Sequence, residues 1–175
     1  MYINCKTSKN MTIKHAEGKD INNIAELERV AFPPSDAASY ERIADRVKTY
    51  PDFIWLLYEE DKLISFVIAL ATDERELNDS MYANTSLHNP QGDWLMLLSV
   101  ATHPDFERNG YGKKVMEAAI NESKGRHKGM VLTCKKHNIG FYERLGFVNE
   151  GLSDSEHGGA VWYQMRLCYE DLRKQ

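Results

Sequence analysis

The chain has 175 residues, 42% of them hydrophobic and 27% charged, with a formal net charge of −4. That length supports one full hydrophobic core, and the acidic balance argues against a general nucleic-acid binder, which carries a basic surplus. No apolar run reaches bilayer-spanning length, the start "MYINCKTSKNMTIKH" has no apolar signal core, and Cys5, Cys134 and Cys168 match no zinc spacing; a cytoplasmic protein with reduced thiols and no membrane partner is expected.

Residues 1–10 read as a loose extension and 11–175 as a single domain, without repeats or linkers. "MTIKHA" predicts a first strand. From Asp20, an expected N-cap, Ile21, Ile24, Leu27 and Val30 recur at helical spacing, and Pro33 and Pro34 stop that helix. Ser39 caps a second helix carrying Ile43 and Val47 at i, i+4. "FIWLLYEEDKLISFVIALAT" predicts a hairpin turning at "EEDK", "DERELNDSMYA" a short helix and "TSLHNPQGD" a loop. "WLMLLSVAT" (94–102) is continuously apolar, so it predicts a central strand covered on both faces. "YGKKVMEAAINESK" predicts a helix with Val115, Ala118 and Ala119 on one face, and "GMVLTCK" another buried strand. "NIGFYERLGF" predicts a short helix ended by Gly146 as a C-cap glycine, before two last strands, "FVNEG" and "AVWYQMRLC".

Within this order, "FERNGYGKK" follows a buried strand and opens a helix. A helix N-terminus offers unpaired N–H groups and partial positive charge, and Gly110 and Gly112 let a backbone approach an anion closely. Strand, glycine turn and helix make a phosphate site, with Arg108, Lys113 and Lys114 adding charge; a solvated helix end accounts equally for at least one of the lysines. A dinucleotide fingerprint needs a third glycine where Val115 stands, and a P-loop needs Gly-Lys-Ser/Thr, which is absent.

The segment "LSVATHPDFERNGYGKKVMEAAI", followed some thirty residues later by "GFYERLGFV", resembles the GCN5-related N-acetyltransferase (GNAT) family, whose signature is an apolar strand, Q/R-x-x-G-x-G/A, a helix, and a later tyrosine on a short helix before a Gly-Phe strand. Glu107 stands at the usual first position of that block, with Arg108 one place on. "ELERVAFPP" and "HGGAVWYQMRL" extend the likeness toward bacterial relatives of arylalkylamine (serotonin) N-acetyltransferase. The resemblance implies an α/β fold: one mixed, bent sheet of about seven strands with about four helices, and a V-shaped split between strands four and five. It implies acetyl-CoA as co-substrate, with Val100, Ala101 and Thr102 pairing with the pantetheine arm in the manner of an added strand. Arg108, Asn109, Gly110, Tyr111, Gly112 and Lys113 would hold the pyrophosphate.

The chemistry implied is acetyl transfer to a primary amine. An alkylamine with pKa about 10 is mostly ammonium at neutral pH, so a base must take a proton, and the departing thiolate gains from a proton donor. By resemblance Tyr142 is that donor; packing between Phe141 and Phe147 is its plainer account. The animal enzymes carry two histidines on the central strand where Met96 and Leu98 stand here, so the base lies elsewhere: Glu28 and His157 are the candidates, Asp93 and Glu74 further options. Phe32, Pro33 and Trp162 match acceptor-pocket positions, and apolar residues there suit an aryl- or alkylamine body. Cys134 reads as a buried thiol rather than a nucleophile. His15, His88, His103, His127 and His137 show no ligand spacing, and no metal is expected. A homodimer is left open. Acetylation of a protein or peptide amine and a non-catalytic CoA-binding module are the alternatives, with a methyltransferase more distant.

Overall fold

The computed structural model describes residues 10–172; Cys5 and the expected extension, apart from Asn10, lie outside the described residues. Seven strands and six α-helices follow in order: β1 Met11–His15, α1 Ile21–Ala31, α2 Tyr40–Thr49, β2 Ile54–Glu59, β3 Lys62–Thr72, α3 Ser80–Ala83, β4 Trp94–Thr102, α4 Tyr111–Ser123, β5 Gly129–Cys134, α5 Ile139–Arg144, β6 Val148–Leu152, β7 Tyr163–Cys168 and α6 Tyr169–Leu172. The strands form one sheet in the order β1-β2-β3-β4-β5-β7-β6. Every neighbouring pair is antiparallel except β4–β5. The α/β class and the strand number agree with the reading of the sequence. Four helices have six residues or more; α3 and α6 are single turns of four residues. No helix among the described residues is long and apolar enough to cross a membrane.

Side chains alternate across the sheet because successive Cβ atoms point to opposite faces. Ile54, Leu56, Met96 and Leu98 pack with Ile24 and Leu27 of α1 and Ile43 and Val47 of α2. Trp55, Leu57, Leu95 and Leu97 pack with Val115, Met116, Ala119 and Ile120 of α4 and Tyr142 of α5. Both faces of β4 are therefore covered, which is why its sequence is apolar without alternation. Ser39 caps α2 as expected, its side chain accepting from the Arg42 amide. Gly146, with φ +97°, follows the last residues of α5 and takes the left-handed conformation that ends a helix.

Asp20 corrects the expected cap. It sits in helical conformation with no side-chain cap bond to α1. Its carboxylate instead closes the preceding tight turn, Gly18–Asp20, accepting from the Glu17 amide at 2.8 Å, from Lys14 Nζ at 2.7 Å and from the Tyr58 hydroxyl at 2.7 Å. Burial pushes its pKa up, but the bonds from Lys14, Tyr58 and the Glu17 amide outweigh that and hold it below the usual aspartate value. A group depressed in this way stabilises the fold fully above its unfolded pKa, about 3.9, and loses that contribution as pH falls through the lower folded value. Asp20→Ala removes the acceptor of the Tyr58 hydroxyl proton and the close partner of Lys14, which keep Asn23 and Glu17 as their other neighbours, and is expected to cost about 1–3 kcal/mol in urea unfolding at pH 7. The gap between the two proteins should shrink below pH 4; an unchanged midpoint would remove Asp20 from this role.

The sheet opens in the middle. β4 and β5 pair only at Trp94↔Gly129, Leu95↔Met130 and Met96↔Val131. Beyond Met96 the two strands part, and residues 97–102 keep β3 alone as a partner. The β3–β4 register shifts between Ile68 and Ala69, which face Ser99 and Leu97, so Leu98 is an extra residue on β4. Such a bulge bends a strand and increases its twist, here at the residue where the sheet begins to split.

Candidate functional site

The split widens into a cleft of ≈1140 Å3. Its walls are the free halves of β4 and β5, the end of α1 with the loop to α2, the N-terminus of α4, and α5 with the loop before β7. Three regions follow along it.

The first is the glycine turn. Arg108 and Gly110 have positive φ, 62° and 82°, and Gly110 is the N-cap of α4 with no side-chain capping bond. The first intrahelical bond runs from the Lys114 amide to the Gly110 carbonyl. The amides of Tyr111, Gly112 and Lys113 thus lie ahead of the helix's own ladder, at its positive end. The glycines serve different ends. A Cβ on Gly110 would meet nothing within 4 Å, so this glycine is needed for its left-handed backbone. A Cβ on Gly112 would come within 3.1 Å of Thr102 Oγ1 and 3.5 Å of Phe141 Cζ, so this one allows α4 to start tight against the end of β4. Arg108 and Lys113 line the cleft with the glycines and Tyr111. Asn109 does not line it; its amide braces the turn by donating to the carbonyls of Phe106 and Glu107 at 3.2 and 3.0 Å. Lys114 also lies off the cleft, over the Tyr111 ring.

The second region is the parted strands. Val100, Ala101 and Thr102 on β4 face Leu132, Thr133 and Cys134 on β5, with Tyr142 of α5 in the same wall. Tyr142 is 7% exposed, its ring packed edge-on against Phe141 and Phe147 at centroid distances of 5.0 and 5.6 Å. Its hydroxyl has no hydrogen-bond partner among the described residues. Burial, with smaller contributions from Cys134 and Tyr82, raises its pKa well above the usual phenol value. Burial also pushes the Cys134 thiol up to about 11, so Cys134 remains a thiol at neutral pH and lacks the character of a nucleophile.

The third region is the mouth beside α1. Glu28 is 2% exposed; its carboxylate accepts from the Ala38 amide at 2.9 Å and from the Ser99 hydroxyl at 2.6 Å. Burial pushes its pKa above the usual carboxylate value, against the opposing effect of those two bonds and of the Arg46 charge. His157 stacks on Tyr82 at 5.0 Å, and its Nε2 lies 3.1 Å from the Asp36 carbonyl. Trp162 Nε1 donates to the His157 carbonyl at 2.7 Å. Lys135 ties the α1–α2 loop to the end of β5 through Asp36 at 2.6 Å and lies over the Trp162 ring. Phe32, Pro33 and Trp162 line this end with Glu28 and His157. Asp93 and Glu74 are not part of the cleft: Asp93 pairs with Lys128, and the Glu74 amide turns back onto Thr72 Oγ1. Met96 and Leu98 are buried in the core on the α1–α2 side.

Tyr82, Ser99 and Arg46 also belong to the site and were not singled out from the sequence. Only Arg46 left a trace there: it stands three residues after Ile43, on the buried side of α2.

A family model described as acetyltransferase (GNAT) family matches residues 21–147. The loading GNATL domain of CurA from Lyngbya majuscula superposes with a TM-score of 0.80 over 93% of this chain and 99% of that one, at 16% identity. A GphF GNAT-like decarboxylase in complex with isobutyryl-CoA gives 0.76 over 90% and 98%, at 19% identity. The ribosomal-protein-S18-alanine N-acetyltransferase of Escherichia coli gives 0.65 over 91% and 94%, at 21% identity. At such identities these likenesses speak for the fold. The chain is also 26% identical over 119 residues to the probable hydrolase YhcX of Bacillus subtilis, which covers 63% of this chain and 23% of that protein; it spans about a quarter of that relative's length.

Proposed function

Because the chain belongs to the GNAT acetyltransferase family, we propose that the cleft binds acetyl-CoA and transfers its acyl group directly to a primary amine. One observation carries this reading: a parted strand pair and the glycine-led N-terminus of α4 lie in a single continuous cleft with a buried tyrosine between them. The amides of 111–113 and Arg108 suit a pyrophosphate, the free edge of Val100–Thr102 suits the amide-rich pantetheine arm, and the neighbour holding isobutyryl-CoA supports an acyl-CoA ligand. Residues 11–175 are assigned as the acyltransferase domain.

In this mechanism Glu28 takes a proton from the amine, directly or through water. The amine nitrogen bonds to the thioester carbon, the C–S bond breaks, and Tyr142 gives its hydroxyl proton to the departing sulfur. Glu28 passes its proton to water and Tyr142 recovers one from water, so that, counted from the neutral amine, the net movement is one proton from nitrogen to sulfur. Glu28 suits its part because burial raises its proton affinity. Tyr142 suits its part because burial keeps the phenol protonated, and because the burial that raises the Cys134 pKa would make a thiolate in the same wall costly as well. Phe32, Pro33 and Trp162 favour an aryl- or alkylamine body as acceptor. The likeness to a ribosomal-protein alanine acetyltransferase supports a peptide N-terminus as the second reading.

The test is thiol release from acetyl-CoA with arylalkylamines, polyamines, amino acids and short peptides. Turnover on one class supports the enzyme and identifies its acceptor; CoA binding without turnover on any amine would favour a binding module. Gly112→Val is expected to weaken CoA binding in calorimetry at least about tenfold, since its side chain crowds Thr102 and Phe141 and displaces the amides that meet the anion. Unchanged affinity would remove the turn from the CoA site.

A further inference from the structure

Arg46 is 2% exposed, one of the largest fully buried side chains, yet it lines the cleft. Its Nη2 donates to the Tyr82 carbonyl at 2.8 Å, while its Nε and Nη1 are buried with no hydrogen-bond partner. No carboxylate among the described residues lies within ion-pair distance of it. A guanidinium does not escape burial by losing its proton, and a buried charge is tolerated when it is paired and hydrogen-bonded.

The neighbouring groups do not supply that pairing. The Tyr50 hydroxyl lies close enough to the guanidinium for Arg46 to pull its pKa down, yet the two form no hydrogen bond of good geometry; burial dominates, pushes that pKa up to about 12 and keeps Tyr50 a neutral phenol that brings no charge to Arg46. Glu28 attracts Arg46 from a distance, but its oxygens are committed to Ala38 and Ser99 and make no hydrogen bond to the guanidinium. Arg42, the other arginine on this wall, adds positive charge.

We propose that Arg46 is a substrate-recognition residue that receives a carboxylate, brought into the cleft beside Glu28 by the acceptor amine or by the acyl group. This deepens the acyltransferase reading and rests on it. The planar fork of a guanidinium matches a carboxylate in a way that neutral groups do not. The pocket then reads as two-part: an apolar body against Phe32 and Trp162, and an anionic end on Arg46. The same bond helps the chemistry. A carboxylate on Arg46 offsets the charge that lowers the Glu28 pKa, and so strengthens Glu28 as a base.

The experiment compares kcat/KM within matched pairs. Phenethylamine against L-phenylalanine and isoamylamine against L-leucine, with acetyl-CoA, test a carboxylate on the acceptor. Acetyl-CoA against succinyl-CoA, with phenethylamine, tests one on the acyl group. The wild type is expected to favour the carboxylate-bearing member of one kind of pair by at least about tenfold, as for a hydrogen-bonded charge, and Arg46→Met should abolish that preference while CoA affinity in calorimetry stays within about twofold. CoA binding and acyl transfer with no such preference, or a preference that survives in Arg46→Met, would overturn the proposal and leave the acyltransferase reading standing. Failure of the wild type to bind CoA, or to transfer to any acceptor, would sink that reading and this proposal together. Should Arg46→Met fail to fold, the wild-type pairs still decide, and Arg46→Lys, which keeps the charge and loses the fork, should retain only part of the preference.

Discussion

Tyr142→Phe is expected to lower kcat about a hundredfold to ten-thousandfold, the range that a positioned acid or base contributes, with CoA affinity within about twofold of the wild type. The substitution removes one oxygen from a ring held between Phe141 and Phe147. Because that hydroxyl has no protein partner among the described residues, its loss breaks no internal bond and the fold should be unaffected. The prediction therefore separates chemistry from packing. If Tyr142 only filled the core, Phe would serve as well, and an active Tyr142→Phe enzyme would place the proton donor elsewhere.

Glu28→Gln should have a comparable effect on kcat/KM, again about a hundredfold or more, accompanied by a loss of stability. Both neighbours of the carboxylate, the Ala38 amide and the Ser99 hydroxyl, donate to it. A glutamine can keep its oxygen on the Ala38 amide and donate its NH2 to the Ser99 oxygen, exchanging charged hydrogen bonds for neutral ones at a cost of about 1 kcal/mol. The pH profile tells the two effects apart. A general base works unprotonated, so activity falls as pH drops through the Glu28 pKa, and burial sets that fall above the ordinary carboxylate range. The limb should vanish in Glu28→Gln, leaving the slope from the amine's own ionisation, which both proteins share. A limb that persists there and disappears in His157→Gln would transfer the role to His157, whose Nδ1 is left free when Nε2 donates to the Asp36 carbonyl.

The sheet was legible because its strands are short apolar runs bounded by turns, and burial on both faces of β4 leaves a continuous signature. Local chemistry also revealed the Ser39 cap and the Gly146 stop. What failed was the assignment of polar residues whose partners are distant. Asp20 looks like a cap in sequence, but its carboxylate is taken by Lys14 and by Tyr58, 38 residues away. "DERELNDSMYA" has Leu77 and Met81 at helical spacing, and both are buried, but helix forms only over Ser80–Ala83. Asp73 is committed to the loop that precedes β4, through Asn89 and the Asp93 amide, which holds the start of the segment out of a helix. The last strand begins at Tyr163 rather than Ala160, after Gly158 and Gly159 in left-handed conformation.

The site divided in the same way. The glycine turn and Tyr142 lie in contiguous motifs and could be read. The surroundings of Glu28 could not, since Ser99 lies 71 residues further on, and Arg46 meets Tyr82 across 36 residues. Arg46 shares the buried side of α2 with Ile43 and Val47, but its partner Tyr82 is not visible from that spacing.

The most direct measurement is a crystal structure of the protein with CoA. The pyrophosphate is expected within hydrogen-bond distance of the amides of Tyr111, Gly112 and Lys113, the pantetheine arm along Val100–Thr102 between β4 and β5, and the sulfur beside the Tyr142 hydroxyl. A nucleotide bound elsewhere, or an arm that leaves the split between the strands empty, would contradict that placement.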